Sequence, residues 1–148
     1  MITDTEGRIE YVNEAFVRTT GYAVDEAIGR NPRLLNAGKT PPATYADLWD
    51  TLGRGEVWRG EFINTRKDGA IYTELATIAP IKQADGGVSH YVAIKEDITA
   101  RREAEARIRQ LAYYDTLTGL PNRSLMWDHL RHAIAASERS GSGGMLLL

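Results

Sequence analysis

No cysteine occurs among the 148 residues. A disulfide scaffold, a zinc–thiolate site, an iron–sulfur cluster and a thiol nucleophile are thereby excluded. No apolar run approaches the roughly 20 residues that a membrane-crossing helix needs. The chain opens Met1-Ile2-Thr3-Asp4, polar at once, so it lacks the pattern of a secretory signal. An excess of positive charge is missing too. Lys and Arg number 18 against 20 Asp and Glu, a formal net charge of −2, so no electrostatic footprint for nucleic acid is expected. The expected location is the cytoplasm. What is present, 43% apolar and 26% charged residues, is an ordinary globular composition. The length suits one domain of about 100–150 residues, or one plus part of another.

Turn signals divide the first two thirds of the chain. Thr5-Glu6-Gly7-Arg8 separates a short apolar stub at Ile2 from Ile9-Glu10-Tyr11-Val12, so residues 2–12 read as a hairpin. Asn13 can cap a helix over 14–20, with Ala15, Phe16 and Val17 partly inward and Gly21 as its stop. Residues 24–28 allow another helical turn ended by Gly29, and Asn31-Pro32 is expected to break regular structure. Thr40-Pro41-Pro42 reads as a helix start with a hydroxyl cap. Tyr45, Leu48, Trp49 and Leu52 follow at i, i+3, i+4, i+7, one face of that helix. Residues 57–66, 70–81 and 88–96 then read as strands, joined by turns at Lys67-Asp68-Gly69 and Ala84-Asp85-Gly86-Gly87. Two strands, several short helices and three strands give an α+β fold, a five-stranded antiparallel sheet with helices on one face.

Residues 98–114 change character. Glu103/Arg107 and Glu105/Arg109 stand at i, i+4, acid first, as on a solvated helix. Ala104, Ile108 and Leu111 fall at 4,3 spacing, a fragment of a heptad seam. Beyond a loop at 117–122, Asn122 caps a helix in which Met126, Leu130, Ala133 and Ile134 share a face. Residues 140–144 end it. Met145-Leu146-Leu147-Leu148 reads as the start of a buried strand, which needs partners for its backbone groups, so this second unit is expected to be incomplete.

The run Ile2-Thr3-Asp4…Gly7…Ile9…Tyr11-Val12-Asn13…Phe16…Thr20-Gly21-Tyr22 resembles the opening of a PAS domain. Gly60-Glu61, Arg66-Lys67-Asp68-Gly69, Pro80-Ile81 and Asp97-Ile98-Thr99 follow in the order of that family. The resemblance covers residues 1–99 and implies the fold that the pattern reaches by itself. Residues 111–123, Leu-Ala-Tyr-Tyr-Asp-Thr-Leu-Thr-Gly-Leu-Pro-Asn-Arg, resemble the start of a GGDEF domain, the catalytic unit of diguanylate cyclases. In that family the residues matching Asp115 and Arg123 tie down the domain entry. Its metal-binding aspartates and its signature loop lie beyond the last residue here, so no cyclase catalysis is expected in this chain. The expected division is a sensory domain at 1–99, a helical signalling linker at 100–114 and the start of an output domain at 115–148. The output would be cyclic di-GMP, made by a parent diguanylate cyclase.

PAS domains hold ligands between sheet and helices. Residues 29–36 resemble the flavin-contacting helix of the LOV subgroup, with Pro32 where that subgroup carries its reactive cysteine. A cysteinyl–flavin adduct is excluded without a thiol; flavin binding is not. The redox-sensing flavin PAS domains of nitrogen-fixation regulators also lack that cysteine, and the overall run is more similar to theirs. The resemblance implies a flavin, FAD or FMN, with Asn31, Arg33 and Asn64 as contacts. Asn36 replaces a glutamine, Glu74 an asparagine, and Lys95 a glutamine near the reactive ring edge. Such a lysine favours a reduced, anionic ring. Each position has a plain alternative: Asn31 shapes a turn, Asn64 pairs across the hairpin, and Arg33, Glu74 and Lys95 are solvated. Trp58 is either pocket wall or core, while Trp49, on the apolar helix face, is read as core. Haem is not expected, because residues 41–53 carry no histidine. His90 is expected near the surface, and His129 and His132 as an exposed pair without a third ligand.

Asp97-Ile98-Thr99 joins the last strand to the charged helix, and Asp97 and Thr99 can cap its start. A stiff strand-to-helix junction passes changes in the sheet to the helix. The expected partner is a second copy, paired through the sensory domain and through Ala104, Ile108 and Leu111. Two other readings stay open: the opening part of an active cyclase, and a ligand-free dimerisation module.

Overall fold

Asp4 organises the first turn. Its Oδ1 accepts the amides of Glu6 at 2.9 Å and Arg8 at 2.7 Å, which folds β1 (Ile2–Asp4) back against β2 (Ile9–Tyr11) as the expected hairpin. The computed structural model describes residues 1–140, and the chain divides into two units, Met1–Ala100 and the residues from Arg101 onward. The strand expected at 145–148 and the glycine-rich stretch before it lie outside the described residues.

In the first unit, Asn13 Oδ1 accepts the Phe16 amide at 3.1 Å and starts α1 (Glu14–Thr20). Gly21, at φ 77°, stops it in a conformation that costs a glycine little. Phe16 and Thr20 are buried, whereas Ala15 is exposed, against expectation. A short α2 (Val24–Ala27) follows. At Asn31-Pro32 the structure does not break but begins a 3₁₀ turn, Pro32–Leu35. Asn31 Oδ1 accepts the Arg33 amide at 3.0 Å, and proline fits the first position because no donor is required there.

Thr40 does not cap α3 (Pro42–Gly53); Pro41 occupies that position. The Thr40 hydroxyl instead accepts the Ile63 amide at 2.8 Å and donates to the Ile63 carbonyl at 3.3 Å. It thus ties the loop ahead of α3 to β3 (Trp58–Thr65). With β4 (Ile71–Lys82) and β5 (Val88–Asp97) the sheet is complete, in the order β2-β1-β5-β4-β3 and antiparallel throughout. This is the expected α+β fold. Two apolar clusters hold it: Ile9, Val12, Phe16, Ala27 and Leu35 under the short helices, and Leu48, Leu52, Trp58, Phe62 and Ala76 between α3 and the sheet.

β5 runs almost directly into α4 (Thr99–Tyr113). In the second unit α4 is exposed along its length, and Arg101 and Glu105 stand 3.9 Å apart at i, i+4. A bridge between Tyr114 and Pro121 closes the next loop. Within it, Asp115 Oδ1 accepts the amides of Leu117 and Thr118 and the Thr118 hydroxyl, at 3.2, 2.9 and 2.8 Å. Asn122 Oδ1 accepts the Ser124 and Leu125 amides at 3.0 and 3.1 Å, the expected cap of α5 (Arg123–Ser140). No helix among the described residues is long and apolar enough to cross a membrane.

Candidate functional site

Period-two alternation aims one row of each long strand at the helices. The inward residues are Phe62 and Asn64 on β3, Tyr72, Glu74, Ala76 and Ile78 on β4, and Tyr91, Ala93 and Lys95 on β5. Opposite them α3 brings Tyr45, Leu48, Trp49 and Leu52, and the 3₁₀ turn brings Asn31, Pro32 and Arg33. Between the two walls lies a cavity of about 110 Å³, far above the roughly 10–15 Å³ that one water needs. Its lining is mostly apolar. Lys95, Asn64 and Asn36 form a polar end: Asn64 and Asn36 are bridged through their backbones, while Asn64 and Lys95 share Glu74 as partner.

Glu74 carries the electrostatics. It is only 2% exposed, so its alternative reading as a solvated residue fails, and it stands behind the cavity lining rather than in it. Its inward place on β4 puts the carboxylate just behind the cavity wall, where a buried charge requires partners. Lys95 Nζ stands 2.6 Å from Oε1, Asn64 Nδ2 donates to Oε1 at 3.3 Å, and the Tyr72 hydroxyl donates to Oε2 at 3.3 Å. Lys95 is likewise not solvated. Its side chain is 15% exposed and its ammonium lies 5.9 Å from the Phe62 ring centroid. Burial, and then the neighbouring Glu74 carboxylate, push the Tyr72 phenol well above its usual range.

Other expected contacts divide. Asn31 both lines the cavity and shapes the 3₁₀ turn, so its two readings hold together. Arg33 is exposed at the rim. Asn36 lines the wall while its Oδ1 accepts the Gly38 amide at 2.8 Å. Trp58 belongs to the core behind the cavity and not to its lining. Its Nε1 donates to Asp47 Oδ2 at 2.8 Å, and its ring packs 5.1 Å from Phe62 and over Gly60. Trp49, expected in the core, is 47% exposed and stands edge-on to Tyr91 at 6.1 Å on the cavity wall. The helix turns its Leu48 and Leu52 stripe inward and leaves Trp49 at the border.

Sequence reasoning passed over Tyr72, Arg66 and Asp47. Tyr72 shares the alternation of Glu74, a signal that could have found it; Asp47 is 11 positions from Trp58 with no local pattern to mark it. Arg66 lies 4.5 Å over the Tyr72 ring, donates to the Thr19 carbonyl, and pairs with Asp97. Asp97 Oδ1 accepts the Thr99 amide at 2.9 Å and the Thr99 hydroxyl at 2.6 Å, the expected cap of α4. Burial opposes the Asp97 carboxylate, but the Thr99 hydrogen bonds and Arg66 outweigh it and hold the carboxyl below its usual range. Ile98 is buried, and its amide donates to the Thr73 carbonyl at 2.9 Å. The Thr73 amide donates to the Thr99 hydroxyl at 2.9 Å. Ala104, Ile108 and Leu111 are exposed, the last two at 67% and 59%.

The remaining ionisable groups offer little chemistry. His90 pairs with Glu10 at 3.1 Å on the sheet surface, and His129 and His132 are exposed on α5. Among the described residues no cluster of three His, Cys, Asp or Glu can hold a metal. An apolar slot with amides and an ammonium at one end suits a flat ring that carries one polar edge, and the donor set therefore fits a flavin.

The family model described as PAS domain matches residues 1–100. The chain is 39% identical over 108 residues to the nitrogen fixation regulatory protein of Klebsiella oxytoca, covering 73% of this chain and 22% of that protein. It is 34% identical over 97 residues to the aerotaxis receptor of Escherichia coli strain K12, covering 66% of this chain and 19% of the receptor. The nitrogen-fixation group named from the sequence is thus among its relatives. The chain spans about a fifth of the length of these curated proteins. Among solved structures it is similar to an RNA-binding Light-Oxygen-Voltage receptor, with TM-score 0.67, 31% identity, and 75% of this chain and 32% of that one covered. It is also similar to a Light-Oxygen-Voltage domain studied with a flavin analogue, with TM-score 0.64, 30% identity, and 73% and 82% covered.

Proposed function

The chain belongs to the PAS domain family, and from that premise we propose that residues 1–99 form a sensor that holds a flavin, FAD or FMN, and reports its redox state through α4. The observation that carries this reading is the apolar cavity whose polar end joins Asn64 and Lys95 to the buried Glu74. A flavin, when bound, supplies reversible electron uptake and a visible chromophore. The chain's own part is to bind and to bias. Phe62, Leu48 and Leu52 offer flat apolar contact, and Asn31 and Asn64 offer amide donors and acceptors. Arg33 offers a forked cation at the rim, suited to a phosphate. Lys95 supplies positive charge that favours an electron-rich occupant. Pro32 on the wall has no thiol, so the reading is a redox sensor and not an adduct-forming photoswitch.

The test is an absorbance scan of the purified protein. Absorption in the blue that bleaches on chemical reduction supports the reading. A colourless protein that takes up neither added FAD nor FMN sinks it and leaves the ligand-free dimerisation module.

The output we propose is a diguanylate cyclase begun by residues 115–148, with residues 100–114 as linker and the parent making cyclic di-GMP in the cytoplasm. Support comes from the GGDEF-like run at 111–123, in which Asp115 gathers three donors at the loop it opens. A longer gene product without the signature loop overturns this. The partner is a second copy of the chain rather than nucleic acid, given a net charge of −2; RNA binding is stated for one structural neighbour and is that protein's property.

A further inference from the structure

We propose that Tyr72 couples the cavity to the output helix, passing a change at the Lys95–Glu74 pair to Arg66 and so to the Asp97–Thr99 start of α4. The proposal rests on reading residues 1–99 as a sensor and is independent of which ligand is sensed. Each link is a contact already described. Lys95 lines the cavity and holds Glu74 Oε1 at 2.6 Å. Glu74 Oε2 takes the Tyr72 hydroxyl at 3.3 Å. The ring of Tyr72, 1% exposed, carries the Arg66 guanidinium 4.5 Å from its centroid. Arg66 pairs with Asp97, and Asp97 caps α4 through Thr99.

Burial makes this chain of contacts responsive. A carboxylate sealed from water must keep its charge-assisted bonds, because losing one leaves an uncompensated charge. An electron-rich group at the polar end of the cavity draws the Lys95 ammonium toward itself. Glu74 then leans on its two remaining donors, Asn64 and Tyr72. Asn64 lines the cavity and stands opposite Tyr72 on the neighbouring strand, whereas Tyr72 leads away from the cavity toward Arg66. A shift of the Tyr72 ring changes the surface under Arg66, whose other contacts are the Thr19 carbonyl in the last turn of α1 and Asp97 at the end of β5. Low local dielectric strengthens the links around Glu74. The backbone of β4 is a parallel route, since Thr73 bonds both Ile98 and Thr99. The distinctive element is therefore the Tyr72 hydroxyl.

A double-mutant cycle isolates it. In the whole 148-residue chain, without added flavin, amide exchange at Thr99 is measured by NMR for Lys95→Gln and for Glu74→Gln. Each is measured with Tyr72 intact and in the Tyr72→Phe background. Glu74→Gln is near-isosteric, and Lys95→Gln removes the charge while keeping a hydrogen-bonding head, so either can serve if the other fails to fold. The expected result is that they change Thr99 exchange by about two- to thirty-fold with Tyr72 intact, the span of coupling seen between linked sites. In the Tyr72→Phe background the change falls to the part that the β4 backbone carries through Thr73. Equal changes in both backgrounds, or no change at Thr99 from either substitution, overturn the proposal. A colourless protein overturns the flavin reading alone, because the cycle is read without a ligand.

Discussion

Lys95 on β5 and Glu74 on β4 meet at 2.6 Å across a diagonal of the sheet, Lys95 lying directly opposite Ala76 and Glu74 opposite Asp97. Both side chains are withdrawn from solvent, so the pair behaves as a unit. Removing one partner strands the other. Lys95→Met is expected to lower unfolding free energy by about 3–5 kcal/mol, the range for breaking a buried pair. Lys95→Met combined with Glu74→Leu is expected to lose less than the single change, because no buried charge remains. Urea titrations of the three proteins check this; a double variant weaker than Lys95→Met contradicts it.

The cap of α4 carries a pH signature. The Asp97 carboxyl titrates below its ordinary value in the folded chain, so its stabilising effect is fully present above the unfolded value, about 3.9. It is lost as pH falls through the lower folded value. Asp97→Asn is therefore expected to lower stability near neutral pH, with the cap contributing about 0.5–2 kcal/mol. The gap between variant and wild type is expected to narrow as pH drops below about 4. Denaturant titrations at neutral and acid pH read the difference directly.

Gly60 lies under the six-membered ring of Trp58, where a Cβ would run into the indole. Trp58 cannot yield easily, since its Nε1 is held by Asp47 at 2.8 Å and its ring packs on Phe62. Gly60→Ala is thus expected to cost about 1–3 kcal/mol as an overpacked site. In a Trp58→Phe background, where the smaller ring frees space, the same substitution is expected to cost less. Thermal melts of the four proteins close this cycle.

The periodicities that built the fold also held information about the site. Alternation on β4 runs Tyr72, Glu74, Ala76, Ile78, and on β5 Tyr91, Ala93, Lys95; both charged residues fall on the apolar, inward row. Period two alone thus argues that Glu74 and Lys95 face inward, against the solvated reading. Their pairing, and the link of Tyr72 to Arg66, depend on strand register, which a turn type and loop length constrain only locally. Asn13, Gly21, Asn122 and the Asp97–Thr99 cap were legible because capping is a local affair. Thr40 was misread because two prolines follow it and Pro41 takes the cap position, leaving the hydroxyl for a strand 23 residues away. Trp49 was misread because an i+4 position at the edge of a stripe is decided by what the opposing sheet covers.

The seam on α4 is the remaining prediction. Ala104, Ile108 and Leu111 follow 4,3 spacing, and Ile108 and Leu111 leave much of their apolar surface in water. Charged neighbours Glu105 and Arg107 flank them, at the positions beside the seam by which a two-stranded coil sets its register. Pairing with a second copy buries that stripe at about 25 cal/mol for each Å² of apolar surface removed. An aspartate in the seam places a charge where none can be solvated. Ile108→Asp is therefore expected to shift the chain from dimer toward monomer in sedimentation velocity, while Arg107→Ala, beside the seam, changes the distribution far less. If Ile108→Asp leaves the dimer fraction unchanged, α4 does not pair through this stripe.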